Sequence, residues 1–250
     1  MNATPALSWP SISLGAGSPG HTRASTRRRL TAVPDVGDPP TPVTSARDLT
    51  GIWSRSLHLS WDGRIDDGSD VMWLQSHSLF VDLRVPPAGA LDARLDGSAG
   101  HISFEGGTFY RTPLVDLRSR VGVPAEAMLT FEGGQLVELG AYDSYRGHWH
   151  EVDAYGPVTS MLLRGEDDCA AVLVSVGQFA GLAWSGPDGG PSKVVIGRWD
   201  DGDLLIHAAS SPEYVDERLT LFRRGREVSA APDSAPWAPS GVWTVELMET

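Results

Sequence analysis

The chain has 250 residues, room for one large β domain or two small ones. Its formal charge of -12 excludes the clustered cationic surface that nucleic-acid phosphates require. A single cysteine, Cys169, excludes an intrachain disulfide framework and a CxxC-type metal site. No apolar run approaches the roughly 18 residues of a membrane span, and the segment after Arg27-Arg28-Arg29 is too polar for a signal peptide. Together these features predict a cytoplasmic protein with no membrane or nucleic-acid partner.

Residues 1–46 are rich in Pro, Gly, Ser and Thr and lack hydrophobic period, which predicts a disordered leader, with folding starting near Asp48. From there Gly- and Asp-containing turns recur at short intervals, with brief apolar runs between them. Strands are predicted at Gly51–Trp61, Asp70–Gln75, Leu79–Val85, His101–Tyr110, Leu114–Leu117, Ala127–Glu132, Gln135–Tyr142 and His148–Ala154. They continue at Val158–Arg164, Ala171–Val176, Phe179–Trp184, Val194–Trp199, Leu204–Ala209 and Glu217–Arg223, with Gly241–Leu247 as a final candidate. Helical signal is confined to single turns within 86–100 and 116–126, both interrupted by proline. Antiparallel hairpins without βαβ spacing predict an all-β, lipocalin-like (calycin-type) barrel, taken as one domain over residues 47–250.

The stretches GIWSRSL, MWLQSHSLFVDLRVP, YRGHWHEVDAY, LVSVGQFAG and VIGRWDDGDLLIHAASSP resemble a family of uncharacterised bacterial lipocalin-like proteins. The FVDLR signature is also similar in style to the fungal Hri1-type proteins, which carry lipocalin-like barrels. The resemblance implies the fold; it brings no catalytic residues with it. In lipocalins the Trp of a Gly-x-Trp start, here Trp53, packs across the barrel base.

The stretch VMWLQSHSLFVDLRVP carries the clearest candidate site. Side chains alternate across a strand, so Phe80, Asp82 and Arg84 share one face and Leu79, Val81, Leu83 and Val85 the other. A strand this apolar is covered on both sides, which turns Asp82 and Arg84 toward a cavity or binds them in an ion pair. Trp73 and Gln75 share a neighbouring strand face and can line the same wall, and Tyr142 joins them as a ligand-binding candidate. Glu138 reads as an isolated buried carboxylate with a raised pKa, or else as a solvent-facing strand residue.

Tyr142 to Tyr155 holds the densest set of reactive side chains, among them Tyr145, His148 and His150. His148 and His150 on one strand face suit either backbone hydrogen bonds, proton transfer, or two metal or haem ligands completed by His101, His207 or Glu138. The reading taken is no cofactor and no metal: the barrel binds a small, largely apolar molecule, as nine tryptophans suggest. The alternative is a cofactor-free isomerase, cyclase or lyase. There Glu138 or His148 acts as acid or base, Tyr145 donates a hydrogen bond, and Arg84 holds developing negative charge. A barrel that serves only as a partner-binding scaffold is a further option.

Overall fold

Gly133 and Gly134 take φ of 56° and 82°, the left-handed backbone that a two-residue hairpin loop demands. Glu132 then pairs directly with Gln135, and the chain reverses in register. Antiparallel strand pairs, joined by loops of varied length, build nearly the whole molecule. The computed structural model describes residues 39–87, 95–141, 144–165, 169–186, 190–231 and 241–250.

The first sheet contains β1 (Thr41–Pro42), β2 (Gly51–Ser60), β3 (Ile65–Asp66), β4 (Asp70–Gln75) and β5 (Leu79–Val85). It continues with β6 (Asp96–Glu105), β7 (Thr108–Asp116), β8 (Ala125–Glu132), β9 (Gln135–Gly140) and β10 (Tyr145–Glu151). Because β10 pairs with both β9 and β2, and β8 pairs with both β7 and β9, the eight strands β2 and β4–β10 close into a barrel. The second sheet contains β11 (Val158–Arg164), β12 (Ala170–Val176), β13 (Phe179–Trp184) and β14 (Lys193–Asp200). Its remaining strands are β15 (Asp203–Ala209), β16 (Arg218–Arg224), β17 (Glu227–Ala230) and β18 (Val242–Glu249), and β18 returns to β11 to close it.

The expected antiparallel barrel is thus present twice over the span read as a single barrel. The physical reason is capacity. About eight strands enclose an interior that side chains fill, so twice as many hairpins close into two rings rather than one wide pore. The predicted strand His101–Tyr110 is split by the Gly106-Gly107 turn into β6 and β7. The helical turn expected within 116–126 is absent, and of 86–100 the part at 88–94 lies outside the described residues.

Residues 1–38 of the expected leader also lie outside the described residues. The first barrel includes residues before Asp48, because residues 41–49 close its base. β1 pairs with β8, the Val43 amide donates to the Leu129 carbonyl at 2.9 Å, and Ser45 caps a single turn at Ala46–Leu49. Only Val43 and Leu49 are buried there, too few apolar side chains to produce a readable period.

The barrels pack outer face to outer face. Leu79, Val81 and Leu83 on β5 join Leu74 and Ile52 in one core with Val172, Val174, Val194 and Ile196 of the second barrel. At the centre of this contact a Cβ on Gly181 would stand 2.9 Å from Val81 Cγ1, so glycine permits the close approach. A polar tie lies beside it: Glu249 accepts hydrogen bonds from Ser76 Oγ (2.6 Å), Ser160 Oγ (2.8 Å) and the Ser78 amide (3.3 Å). With its outward face occupied by the second barrel, β5 turns Phe80, Asp82 and Arg84 into the first.

Candidate functional site

The interior of the first barrel is layered. Trp53, Trp73, Phe80, Phe109, Leu136 and Trp149 fill its lower half. Trp73 is the hub, with its ring centroid 5.3 Å from Trp149, 5.8 Å from Phe109 and 6.3 Å from Trp53. These offset and edge contacts suit aromatic quadrupoles and make a rigid floor.

Arg111 of β7 lies on that floor. Its guanidinium carbon stands 5.2 Å from the Trp73 centroid, and its Nη2 donates to Glu138 Oε1. Glu138 of β9 also accepts from Tyr145 Oη at 2.8 Å and Trp149 Nε1 at 2.9 Å. Three donors thus satisfy a carboxylate that is 2% exposed. Glu138 is therefore buried, as one sequence reading has it, but not isolated: a guanidinium and two neutral donors surround it. Burial opposes the Arg111 cation, yet Glu138 and Asp82 outweigh that and push its pKa further up. Burial and the Glu138 charge raise the Tyr145 pKa, so its phenol stays a donor.

Asp82 of β5 adjoins the same guanidinium. Its Oδ1 accepts from the Ser98 amide (2.9 Å) and Ser98 Oγ (2.6 Å), while Oδ2 stands 3.8 Å from Arg111 Nη1. That separation is too long for a direct hydrogen bond. Burial raises the Asp82 pKa, with Arg111 and Ser98 opposing.

Above this layer the mouth is charged on every side. Arg84 and Arg55 share Asp66, Arg55 at 2.9 Å. Beside Arg84, across the β5–β6 pair, Arg120 bridges Asp96 (2.8 Å) and Asp116 (2.9 Å). His58 stacks on Tyr145 with centroids 5.1 Å apart, and burial followed by Arg55 and Arg84 lowers its pKa. These groups surround an open cavity of about 350 Å³. The anchored ion pairs hold its wall in place before any ligand arrives.

The residues singled out from sequence separate into three groups. Asp82, Arg84, Glu138 and Tyr145 line the cavity together. Trp73 and Gln75 do not: Trp73 lies beneath Arg111, and Gln75 is fully buried, its Nε2 donating to the Ala46 carbonyl at 3.2 Å. Tyr142 lies outside the described residues.

His148 is on the opposite side of β10 from Trp149, with Nδ1 3.4 Å from Gln135 Oε1, and so does not reach the cavity. His150 is exposed, its Nε2 3.3 Å from Gln135 Nε2. Glu138, facing inward, cannot join this outer pair. Among the described residues no group of three or more His, Cys, Asp or Glu could hold a metal ion. His148 and His150 share one face of β10, as read from the sequence, but that face is the outer one. Trp149 claims the interior because burying an indole gains more than burying two imidazoles.

Sequence reading missed Arg111, Arg55 and His58. Arg111 lies just past the predicted end of a strand at Tyr110, so no face was assigned to it. Its spacing from Phe109 is the signal that would have found it: β7 runs on to Asp116, which puts both inside.

No family model and no curated protein matches the chain. Among solved structures it is similar to the uncharacterized protein YLR301w from Saccharomyces cerevisiae, with a TM-score of 0.56 and 13% sequence identity. The match covers 80% of this chain and 99% of the yeast one. At that identity the likeness shows a shared fold. Among the described residues no helix is long and apolar enough to cross a membrane.

Proposed function

We propose that the first barrel binds a small polar molecule bearing a hydroxyl or carboxylic acid group, in place of the largely apolar ligand that the tryptophan content predicts. The observation that carries this reading is the pair Asp82 Oδ2 and Arg111 Nη1, an acceptor and a donor 3.8 Å apart in the wall of the cavity. A group that both donates and accepts satisfies the two together, and Arg84 offers a planar fork nearer the mouth. The tryptophans serve as the floor. Cytoplasmic location and kinship with the bacterial lipocalin-like and Hri1-type proteins belong to the same proposal.

Calorimetric titration with hydroxy acids and polyols, beside alkanes of equal size, tests it. Saturable binding of a hydroxylated compound, lost in Asp82→Ala and retained in His148→Ala, is the expected result. Binding that prefers the alkanes, or ignores Asp82→Ala, overturns it.

One further observation favours a second reading, cofactor-free proton transfer in an isomerase, cyclase or lyase. Asp82 and His58 line one cavity, and burial moves their pKa values toward each other, up for the acid and down for the imidazole. They replace Glu138, whose two oxygens already accept from three donors, and His148, which is outside. Turnover of any bound compound that survives Asp82→Asn and His58→Gln would refute this reading while leaving the binding proposal intact.

A further inference from the structure

The second barrel differs from the first in chemistry. Its inward positions are mostly apolar: Leu163, Ala171, Leu182, Val195, Leu204 and Ile206 form one buried cluster. One end is shut. Trp184 and Trp243 are buried in that cluster, and the turn at Pro212–Tyr214 buries Tyr214 beside them. The other end is open, with a cavity of about 240 Å³ walled chiefly by Met161, Leu173, Trp199, Leu221 and Val228. A separate small void of about 10 Å³ lies nearby, with Leu221 and Val228 common to both walls.

Two of the polar side chains at this mouth, Trp199 and Ser175, are satisfied locally. Trp199 Nε1 donates to Ser175 Oγ at 2.9 Å, and Ser175 Oγ donates to the Phe179 carbonyl at 3.2 Å. Neither of these two groups demands a polar ligand.

Arg223 is the exception. Alternation along β16 puts Leu219, Leu221 and Arg223 on one face, so the guanidinium sits at the rim directly above the apolar wall. Its Nε donates to the Gly225 carbonyl at 3.0 Å. No ion pair to a carboxylate is formed by Arg223 among the described residues, whereas Arg218 on the same strand is paired with Asp200. In a chain of net charge -12, an arginine at an apolar mouth without a carboxylate is a specific arrangement.

We propose that the second barrel is a separate binding site for a single-chain anionic amphiphile, its aliphatic chain in the apolar shaft and its carboxylate on Arg223. The volume lies just under the roughly 300–1,000 Å³ of drug-sized sites, which suits a chain of medium length. Arg223 contributes a planar donor pair matched to a carboxylate. The first barrel, with its charged wall, disfavours such a chain, so the two sites divide polar from apolar ligands.

The test is calorimetric titration of the full chain with octanoate below its micellar range, beside octanol and octyltrimethylammonium. The site is then located from the Met161 methyl resonance. Saturable octanoate binding that shifts the Met161 methyl is expected. Arg223→Ala should weaken octanoate by about tenfold, the worth of one partly solvated charge-assisted hydrogen bond, and leave octanol unchanged. Val228→Phe should block the shaft; if that variant misfolds by circular dichroism, Thr159→Trp at the rim serves instead. No saturable binding, equal affinity for octyltrimethylammonium, an unmoved Met161 methyl, or indifference to Arg223→Ala would each overturn the proposal. Asp82→Ala in the first barrel should leave octanoate affinity as it is, which separates failure here from failure there.

Discussion

Replacing Glu138 by Gln keeps the shape of the side chain and removes the charge that Arg111 faces. In the native barrel the Glu138 side chain is 2% exposed and that of Arg111 14%, so neither regains much hydration when the pair is broken. Removing one member of such a pair costs about 3–5 kcal/mol, mainly from the charge left behind. Gln retains an oxygen that can accept from Tyr145 or Trp149, and Asp82 Oδ2 at 3.8 Å offsets part of the cation. The lower end, about 3 kcal/mol, is therefore expected. For a chain of this length that corresponds to a melting temperature lower by roughly 6–12 °C.

Urea unfolding at pH 7 followed by tryptophan fluorescence measures the loss directly, because Trp149 and Trp73 report from the same layer. Adding Arg111→Met to Glu138→Gln removes the stranded cation, so the double variant should recover at least about half of the loss. A single-variant cost below about 1 kcal/mol, or a double variant as unstable as the two single losses added, would refute the view of this pair as a buried, mutually dependent ion pair.

Asp82 gives the opposite sign. Burial raises its folded pKa above the ordinary 3.8, so it withdraws stability as pH rises from that value through the folded one. Asp82→Asn, which can keep both Ser98 hydrogen bonds, should melt higher than the parent at pH 7 and lose that advantage below pH 3.8. Glu249 behaves conventionally: burial raises its pKa, but the hydrogen bonds from Ser76, Ser78 and Ser160 outweigh burial and hold it below 4.5. Its stabilisation is complete above pH 4.5 and lost as pH falls through the folded value. Glu249→Gln should cost about 1 kcal/mol at pH 7 after allowance for solvent exposure, with the gap to the parent closing in acid denaturant titrations. Gly181→Val should cost about 1–3 kcal/mol by overpacking Val81, with amide exchange accelerated first along Leu79–Leu83.

The sequence was a sound guide to local structure wherever turn chemistry and alternation agreed. The bounds of β4, β5, β11 and β13 match the predicted strands, and the Gly-Gly turn before Gln135 forms as its residues require. It also placed Asp82 and Arg84 on one face of a strand covered on both sides, which is a statement about period alone. What alternation cannot supply is the identity of each cover. For β5 one cover is the aromatic interior of its own barrel and the other is a second barrel, reached through contacts more than ninety positions away between Val81 and Gly181.

Tertiary closure therefore decided the site. It made Glu138 a hydrogen-bonded partner of Arg111 instead of an isolated acid, sent His148 to the outer surface, and set Trp73 and Gln75 beneath the cavity rather than in its wall. Strand period limits a side chain to one of two faces. Only ring closure determines which face is the interior, and which charges from distant strands meet there.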